Sequence, residues 1–393
     1  MVKKIVNLIN RIVPKSNIII FNSFPNISGN ALAVYECIVD NHPEIAEKYR
    51  LVWVINDREI ASANKLLQEI NCKANYLVCS KKTIKGLWLY CRSKYIFSTH
   101  NYITGVNTYG NQKNINLWHG MPFKRIGAMI EDGGEKDVLQ ADITIATSPL
   151  FQKIMARAFE ISENNVLVTG QPCNDQLFRT HNALKKLGMN KNQYRKILMW
   201  MPTYRKSIIG AIHEDGNVNG FGVQSVLSKN FDELNNLLKA QGYLLVIKPH
   251  PMDSINTLQL PESQNIRVLH NKDFDLAGVT LYEALGETDV LLTDYSSVFI
   301  DYLNSGKPIA FIFDDIDRYG QSRGFSFEKP MDYLPGEKII SFEALKNYIV
   351  NLDKVNEAWA EEREKITNIF NSSTEYGFSE KVINSIFNLG IKV

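Results

Sequence analysis

The sequence predicts an α/β protein made of two Rossmann-like halves. Three observations predict it. Short β-rich runs alternate with longer helical patterns, the alternation breaks across residues 170–195 and then resumes, and 393 residues are more than one core usually takes.

The first element is the segment MVKKIVNLINRIVPK. On a helical wheel Val2, Ile5, Val6, Leu8, Ile9, Ile12 and Val13 share an arc of about 160°. Lys3, Lys4, Asn7, Asn10 and Arg11 fill the other side, and Pro14 ends the helix. Lys3, Lys4, Arg11 and Lys15 make the segment +4 in a chain of net charge +2, which leaves −2 for the remainder. Such a helix either docks its apolar stripe on its own domain or lies in the headgroup plane of an anionic membrane. No run approaches the roughly 18 to 20 apolar residues of a membrane span. No small-residue cleavage site follows, so a signal peptide is not expected.

Strands are expected at 17–21, 49–54, 74–78, 95–98, 114–117, 143–146 and 166–169, with helices at 31–40, 59–69, 81–91 and 149–159. After the break come strands at 196–200, 243–247, 266–269, 290–292 and 308–313, a helix at 232–241, and one long amphipathic helix over 342–365. Alternating elements of this kind build parallel sheets with helices on both faces. The ligand is then expected in a cleft between the halves, at the carboxyl ends of the strands.

Composition excludes several classes. Lys and Arg total 44 against 42 Asp and Glu, too balanced for a nucleic-acid coat, and an apolar fraction of 45% argues against disorder. The five cysteines (37, 72, 79, 91 and 173) are an odd number without CxxC spacing, so neither a disulfide framework nor a structural zinc site is expected and a reducing compartment fits. The sequence has no GxGxxG and no GxxxxGK[ST] phosphate loop.

The residues that can carry chemistry mostly follow predicted strands. LWHGMPFKRIG (117–127) sets His119 beside Gly120, with Lys124 and Arg125 one turn later, an imidazole near cations. ILMWMPTYRK (197–206) ends in Thr203, Arg205 and Lys206, and LLVIKPHP (244–251) holds Lys248 and His250 between prolines that fix the backbone. DVLLTDYSSVFIDYL (289–303) runs into Thr293, Asp294, Ser296 and Ser297 where a helix begins, a place suited to anions. RYGQSRGFSFE (318–328) adds Arg318 and Arg323. Together they describe a site able to bind a diphosphate with an imidazole ready for proton transfer. Metal ligation by His119, His250 and Asp294 is the competing reading, without an HxxxH or HxH pair to support it. His100, His213 and Cys91 belong to no motif and are expected to be structural or solvent-facing.

These segments, in this order, resemble the CDP-glycerol glycerophosphotransferase family of teichoic acid and capsule synthesis. The resemblance runs through WHG (118–120), GQPCNDQL (170–177), PTYR (202–205), KPHP (248–251), TDYSS (293–297), RGF (323–325) and PG (335–336), and covers about residues 17 to 380. Cys173 and Ser326 depart from the commonest family pattern, and FNSFPNISGNALAVYE (21–36) matches the family's opening segment loosely.

The resemblance implies the GT-B architecture: two Rossmann-like domains facing a central cleft, with a C-terminal helix returning to the first. The domains are then expected at 16–180 (acceptor) and 181–370 (CDP donor), after a membrane-associating helix at 1–15 and before a tail at 371–393 that packs back. The resemblance implies transfer of a polyol phosphate from a CDP-activated donor to an acceptor hydroxyl with release of CMP, without a metal or other cofactor. His119 is implied as general base, His250, Ser296 and Ser297 at the pyrophosphate, and Arg323 near the transferred phosphate. Gly120, Thr203, Arg205, Lys248 and Asp294 are further expected contacts.

Acceptors of such enzymes hang from undecaprenyl diphosphate, so a peripheral site on the cytoplasmic face of the membrane is expected. Lys3, Lys4, Ile5, Leu8, Ile9, Arg11 and Ile12 are the expected membrane contacts, and no nucleic acid partner is implied. The leading expectation is a primase that adds the first glycerol phosphate to a lipid-linked disaccharide. A polymerase, or a ribitol-phosphate or capsule enzyme, would share the chemistry. A non-catalytic phospholigand-binding protein and a sugar-transferring GT-B enzyme are the alternatives of other classes.

Overall fold

The computed structural model describes residues 2–25, 27–56, 60–70, 76–101, 103, 105–130, 139–179, 182–203, 221–250, 260–313, 315–316, 320 and 324–388. Two compact units divide the chain. The first comprises Met1–Met121, Ile126–Asp175 and Glu375–Val393, and the second comprises Pro122–Arg125 and Gln176–Thr374.

The first unit holds α1 (Val2–Ile12), β1 (Ile18–Asn22), α2 (Gly29–Asn41), α3 (Pro43–Lys48), β2 (Arg50–Ile55), α4 (Ile60–Ile70), β3 (Tyr76–Ser80), α5 (Ile84–Arg92), β4 (Tyr95–Ser98), β5 (Lys113–Asn116), β6 (Ile143–Ala146), α6 (Pro149–Phe159) and β7 (Val166–Val168). Its seven strands run parallel in the order β3-β2-β1-β4-β5-β6-β7. Side chains alternate across the pleat, so β1 and β2 feed two cores. Ile19, Phe21 and Trp53 pack with Leu32 and Tyr35 of α2, while Ile18, Ile20, Val52 and Val54 pack with Val6 of α1 and Leu89 of α5.

Helix α1 corrects the wheel. Its stripe does not simply dock or simply face outward. Val6 and Asn10 are buried, and Ile9 packs partly against the core. Asn10 Nδ2 donates to the Asn107 carbonyl (2.7 Å) and to Gln112 Oε1 (2.9 Å), and Asn7 Nδ2 donates to the Gly105 carbonyl (2.9 Å). The helix is therefore held by one apolar edge together with asparagines expected to face water. Ile5, Leu8 and Ile12 remain 51%, 61% and 69% exposed, with Lys4 and Arg11 exposed beside them.

The second unit contains α7 (Ala183–Lys186), β8 (Lys196–Met201), α8 (Val223–Lys229), α9 (Phe231–Gln241), β9 (Tyr243–Ile247), β10 (Ile266–Val268), α10 (Asn271–Ala277), α11 (Leu281–Glu287), β11 (Val290–Thr293), α12 (Val298–Tyr302), β12 (Ile309–Ile312), β13 (Glu337–Ile339), α13 (Phe342–Val350), α14 (Leu352–Ala358) and α15 (Ala360–Phe370). Six parallel strands lie in the order β10-β9-β8-β11-β12-β13. Both sheets thus have the Rossmann order, with a switch in direction between β1 and β4 in one unit and between β8 and β11 in the other. The fold class is the one the sequence predicts.

Besides α3, α7, α8, α10 and α11, which the alternation does not predict, two elements differ from expectation. Strand β13 is three residues long and is not among the expected strands. The long helix expected over 342–365 is broken at Asn351 and Trp359, whose backbones leave helical geometry. Asn356 accepts from Tyr348 Oη (2.8 Å), and Trp359 Nε1 donates to Glu337 Oε2 of β13 (3.1 Å). These bonds tie the segments around the breaks to one another and to β13.

Helix α16 (Phe378–Phe387) belongs to the first unit and packs on α2. Asp175, in the GQPCNDQL segment, supplies its N-terminal partners. Asp175 Oδ1 accepts from the Gly377 and Phe378 N–H groups (2.7 and 2.9 Å), and Oδ2 accepts from Ser379 (2.8 Å). Gly170 has φ +78°, and a Cβ there would lie 2.2 Å from Phe378 Cδ1, so this glycine provides both the turn and the space. His42 Nε2 meets Glu380 Oε2 at 2.9 Å and Cys37 Sγ meets it at 3.4 Å, a Cys/His/Glu grouping that sequence spacing does not reveal. Cys37, Cys79, Cys91 and Cys173 form no disulfide among the described residues.

Candidate functional site

In the first unit the site is built where β1, β4 and β5 end. Strand β5 stops at Asn116, and Trp118-His119-Gly120 follow. Trp118 has φ +52° and Gly120 φ +145°, the first a strained angle for an aromatic residue and the second open essentially to glycine alone. The strain is held from below. Asn116 Oδ1 accepts from the Trp118 N–H (3.0 Å), and buried Asn30 donates from Nδ2 to the carbonyls of Leu117 (3.0 Å) and Trp118 (3.1 Å). The same Asn30 reaches Gln171 Oε1 (2.7 Å), and its Oδ1 accepts from the Cys173 N–H (3.0 Å). Asn30 therefore ties the opening segment, WHG and GQPC into one scaffold.

His119 Nδ1 lies 3.0 Å from the Thr99 carbonyl. A carbonyl only accepts, so Nδ1 carries the proton and Nε2 keeps its lone pair. No partner for Nε2 occurs among the described residues, and the side chain is exposed to solvent. Surrounding protein displaces enough water to push the imidazole pKa down, an effect the Thr99 bond opposes. The direction is what matters for chemistry: His119 is held as a neutral ring with an acceptor nitrogen, the form a general base needs.

His100, expected to be structural or solvent-facing, packs directly on His119. It follows β4 as His119 follows β5, and the two rings stack with centroids 4.2 Å apart and planes 3° from parallel. Trp118 packs on His119 at 4.1 Å, and Phe24 meets His100 edge-on at 5.6 Å. Burial pushes the His100 pKa down to about 3, with His119 and Lys81 adding in the same direction.

In the second unit the expected residues gather at the ends of β8, β9 and β11. Thr203 donates its N–H (3.0 Å) and its hydroxyl (2.7 Å) to Asp294 Oδ2, and the Ser296 N–H donates to Asp294 Oδ1 (3.2 Å). Thr293 Oγ1 donates to the Met201 carbonyl (2.7 Å), pinning the same two strand ends together. Asp294 is buried and joins the PT and TDYSS segments, which gives it an organising role at these strand ends. Ser296 and Ser297 stand half-buried above it. Ser297 does not cap α12, and five residues make a helix too short for much dipole, so the hydroxyls matter more than the helix terminus.

Lys248 is buried, and its Nζ donates to the Pro249 carbonyl (3.0 Å). Burial lowers its pKa to about 8, with Asp273 pulling the other way. His250 ends the same stretch, half-buried. Arg205 and Arg323 lie outside the described residues. Lys124 and Arg125 belong to the second unit. There Arg125 N–H and Nε donate to the carbonyls of Gly324 (3.1 Å) and Phe325 (3.2 Å), pairing this segment with RGF. Asn30, Thr99, Gln171 and Asp175 receive no role in the sequence reading, although the opening segment and GQPCNDQL are among its motifs, because their partners are distant in the chain. For His100, the position directly after a strand was the one available signal.

The family model described as CDP-Glycerol:Poly(glycerophosphate) glycerophosphotransferase matches residues 5–388. The teichoic acid glycerol-phosphate transferase of Staphylococcus aureus (strain NCTC 8325 / PS 47) is 26% identical over 411 aligned residues, covering 95% of this chain and 94% of that protein. The teichoic acid poly(glycerol phosphate) polymerase of Bacillus subtilis (strain 168) is 25% identical, covering 83% of this chain and 43% of the polymerase. Among solved structures, a variant of the wall teichoic acid polymerase TagF soaked with CDPG is similar, with a TM-score of 0.75, 23% identity, and coverage of 99% of this chain and 93% of that one.

Proposed function

The chain belongs to the CDP-glycerol:poly(glycerophosphate) glycerophosphotransferase family, and on that premise we propose that it transfers glycerol phosphate from CDP-glycerol to a hydroxyl of a lipid-linked disaccharide, as a teichoic acid primase does. The observation that carries this reading is His119, held by the Thr99 carbonyl in the tautomer that leaves Nε2 able to take a proton. The acceptor oxygen attacks the donor's β-phosphorus as its proton passes to His119 Nε2. The bond from that phosphorus to the bridging oxygen breaks, and CMP leaves with the electron pair.

Charge grows on the leaving phosphate, and groups already in place lower the barrier. Lys248, His250, Ser296 and Ser297 are assigned to the pyrophosphate, with Arg205 and Arg323 as further cations and Gly120 giving the acceptor close access. The reading calls for no metal ion or other cofactor. Similarity to the S. aureus transferase along nearly the full length of both chains supports a single catalytic unit of this kind.

The enzyme is proposed to work at the cytoplasmic face of the membrane, where such an acceptor would lie. No described helix is long and apolar enough to cross a bilayer. The exposed stripe Ile5, Leu8 and Ile12, flanked by Lys3, Lys4 and Arg11, supports peripheral attachment. Helix α5, packed against α1, leaves Ile84 and Trp88 exposed as well. Ile9 is reassigned from lipid contact to docking.

The test is nucleotide release by purified protein given CDP-glycerol and a lipid-linked ManNAc–GlcNAc acceptor, beside His119→Ala. CMP formed only with acceptor, and lost in the variant, is the expected result. Product mass separates one added unit from a polymer. CMP from CDP-ribitol but not CDP-glycerol would redirect the donor assignment. Stoichiometric binding without any CMP would overturn the reading in favour of a binding protein.

A further inference from the structure

The imidazole–imidazole stack has no place in the chemistry above, yet it is the closest aromatic contact His119 makes apart from Trp118. A base that must meet a hydroxyl needs its acceptor nitrogen fixed in direction, since small misplacements of a reacting group cost large factors in rate. The Thr99 carbonyl fixes one point of the His119 ring, its Nδ1–H. One hydrogen bond still lets the ring rotate about that axis. A flat face stacked 4.2 Å away and 3° from parallel removes this remaining freedom.

We propose that His100 is a positioning residue for His119, its ring holding the base in the plane that keeps Nδ1–H on the Thr99 carbonyl and so preserves the single tautomer. This rests on the reading of His119 as the base.

His100 is itself anchored. Thr99 Oγ1 accepts from the Phe24 N–H (3.3 Å) and lies 3.0 Å from His100 Nδ1. The Phe24 N–H and the His100 ring thus share the Thr99 hydroxyl, which holds His100 at its Nδ1 edge. Phe24 closes over the ring edge-on. Neighbouring residues Thr99 and His100 thus supply the carbonyl, the hydroxyl and the stacking face. An imidazole suits the place because its depressed basicity keeps it neutral when His119 takes up a proton. A cation at that distance would repel the imidazolium.

The experiment compares wild type, His100→Ala and His100→Phe in the full-length protein. CMP release gives kcat and the KM for CDP-glycerol, and nitrogen-15 histidine spectra give the tautomer of His119, assigned by its loss in His119→Ala. His100→Ala is expected to lower kcat by on the order of 10- to 100-fold with little change in KM, and to mix the two His119 tautomers. His100→Phe, which restores a flat face, is expected to recover most of kcat and the single tautomer. If alanine prevents folding, His100→Leu replaces it, filling the space without a flat face. An unchanged kcat and a single His119 tautomer in the alanine or leucine variant would overturn the proposal. Phenylalanine as damaging as alanine would overturn it too. Retained turnover in His119→Ala would instead overturn the base assignment, while the His119 spectra in the His100 variants would still decide whether His100 orders that ring.

Discussion

Replacing Asn30 by alanine tests whether the scaffold beneath His119, rather than His119 alone, sets activity. The change removes the 2.7 Å bond to Gln171, the 3.0 and 3.1 Å bonds to the Leu117 and Trp118 carbonyls, and the 3.0 Å bond from the Cys173 N–H. Three of these share the two hydrogens of Nδ2, so the four contacts count as about three bonds; each is worth about 1 kcal/mol net, and the expected loss of unfolding free energy is roughly 3 kcal/mol.

The functional effect should exceed the stability effect. Trp118 occupies φ +52°, a conformation costing about 1–3 kcal/mol that persists only where the surroundings enforce it. Without Asn30 the backbone can relax and carry His119 with it, so kcat should fall on the order of 10- to 100-fold at temperatures where the variant is still folded. Urea unfolding and CMP release on the same preparation check both numbers. Stability within about 0.5 kcal/mol of wild type together with kcat within twofold would refute the reasoning, because a buried four-contact clamp cannot be that inert.

Gly170→Ala should displace α16, since the new Cβ would lie 2.2 Å from Phe378, and Asp175→Ala should do the same by stripping three N–H partners. Faster proteolysis of the C-terminal segment reports both, and wild-type resistance in either would contradict the capping role. Lys248, whose native pKa of about 8 lies below its ordinary 10.5, is deprotonated in the native protein but protonated in the unfolded chain across that window. Its contribution to stability should therefore improve as pH rises from about 8 to 10.5, and is at its least favourable below. Binding a diphosphate beside Lys248 should favour its charged form, so CDP binding at pH 8.5 should take up protons. Calorimetry in buffers of different ionisation enthalpy measures this, and zero uptake would remove Lys248 from the donor site. Leu8→Ser with Ile12→Ser should weaken sedimentation with anionic vesicles while leaving Tm and soluble-acceptor turnover unchanged. These point changes are a cleaner test than removing 2–13, which would also take away docked Val6 and Asn10.

Most of the architecture was legible in the residues because parallel strands buried on both faces write themselves as short apolar runs. The strands at 95–98, 143–146 and 243–247 coincide with β4, β6 and β9, and most others begin or end within one or two residues of those observed. The motif positions at strand ends were legible for the same reason. Once β5, β8, β9 and β11 are placed, the segments after them must emerge at the carboxyl edge of a sheet.

What the chain alone could not reveal is which residues hold which. Hydrogen bonds from Asn30 to Gln171, from the N-terminus of α16 to Asp175, and from Thr203 to Asp294 join positions far apart in sequence, and polarity at one position does not name its partner at another. The same limit governed α1. Its periodicity determined an amphipathic helix, but only packing against Gln112 and the Asn107 carbonyl decided that Asn10 would be buried and Leu8 left in water. Local sequence fixes the period of an element through backbone geometry. Which face it presents, and which imidazole lies against which, depends on the competition among all surfaces that could cover it, and only the assembled unit resolves that competition.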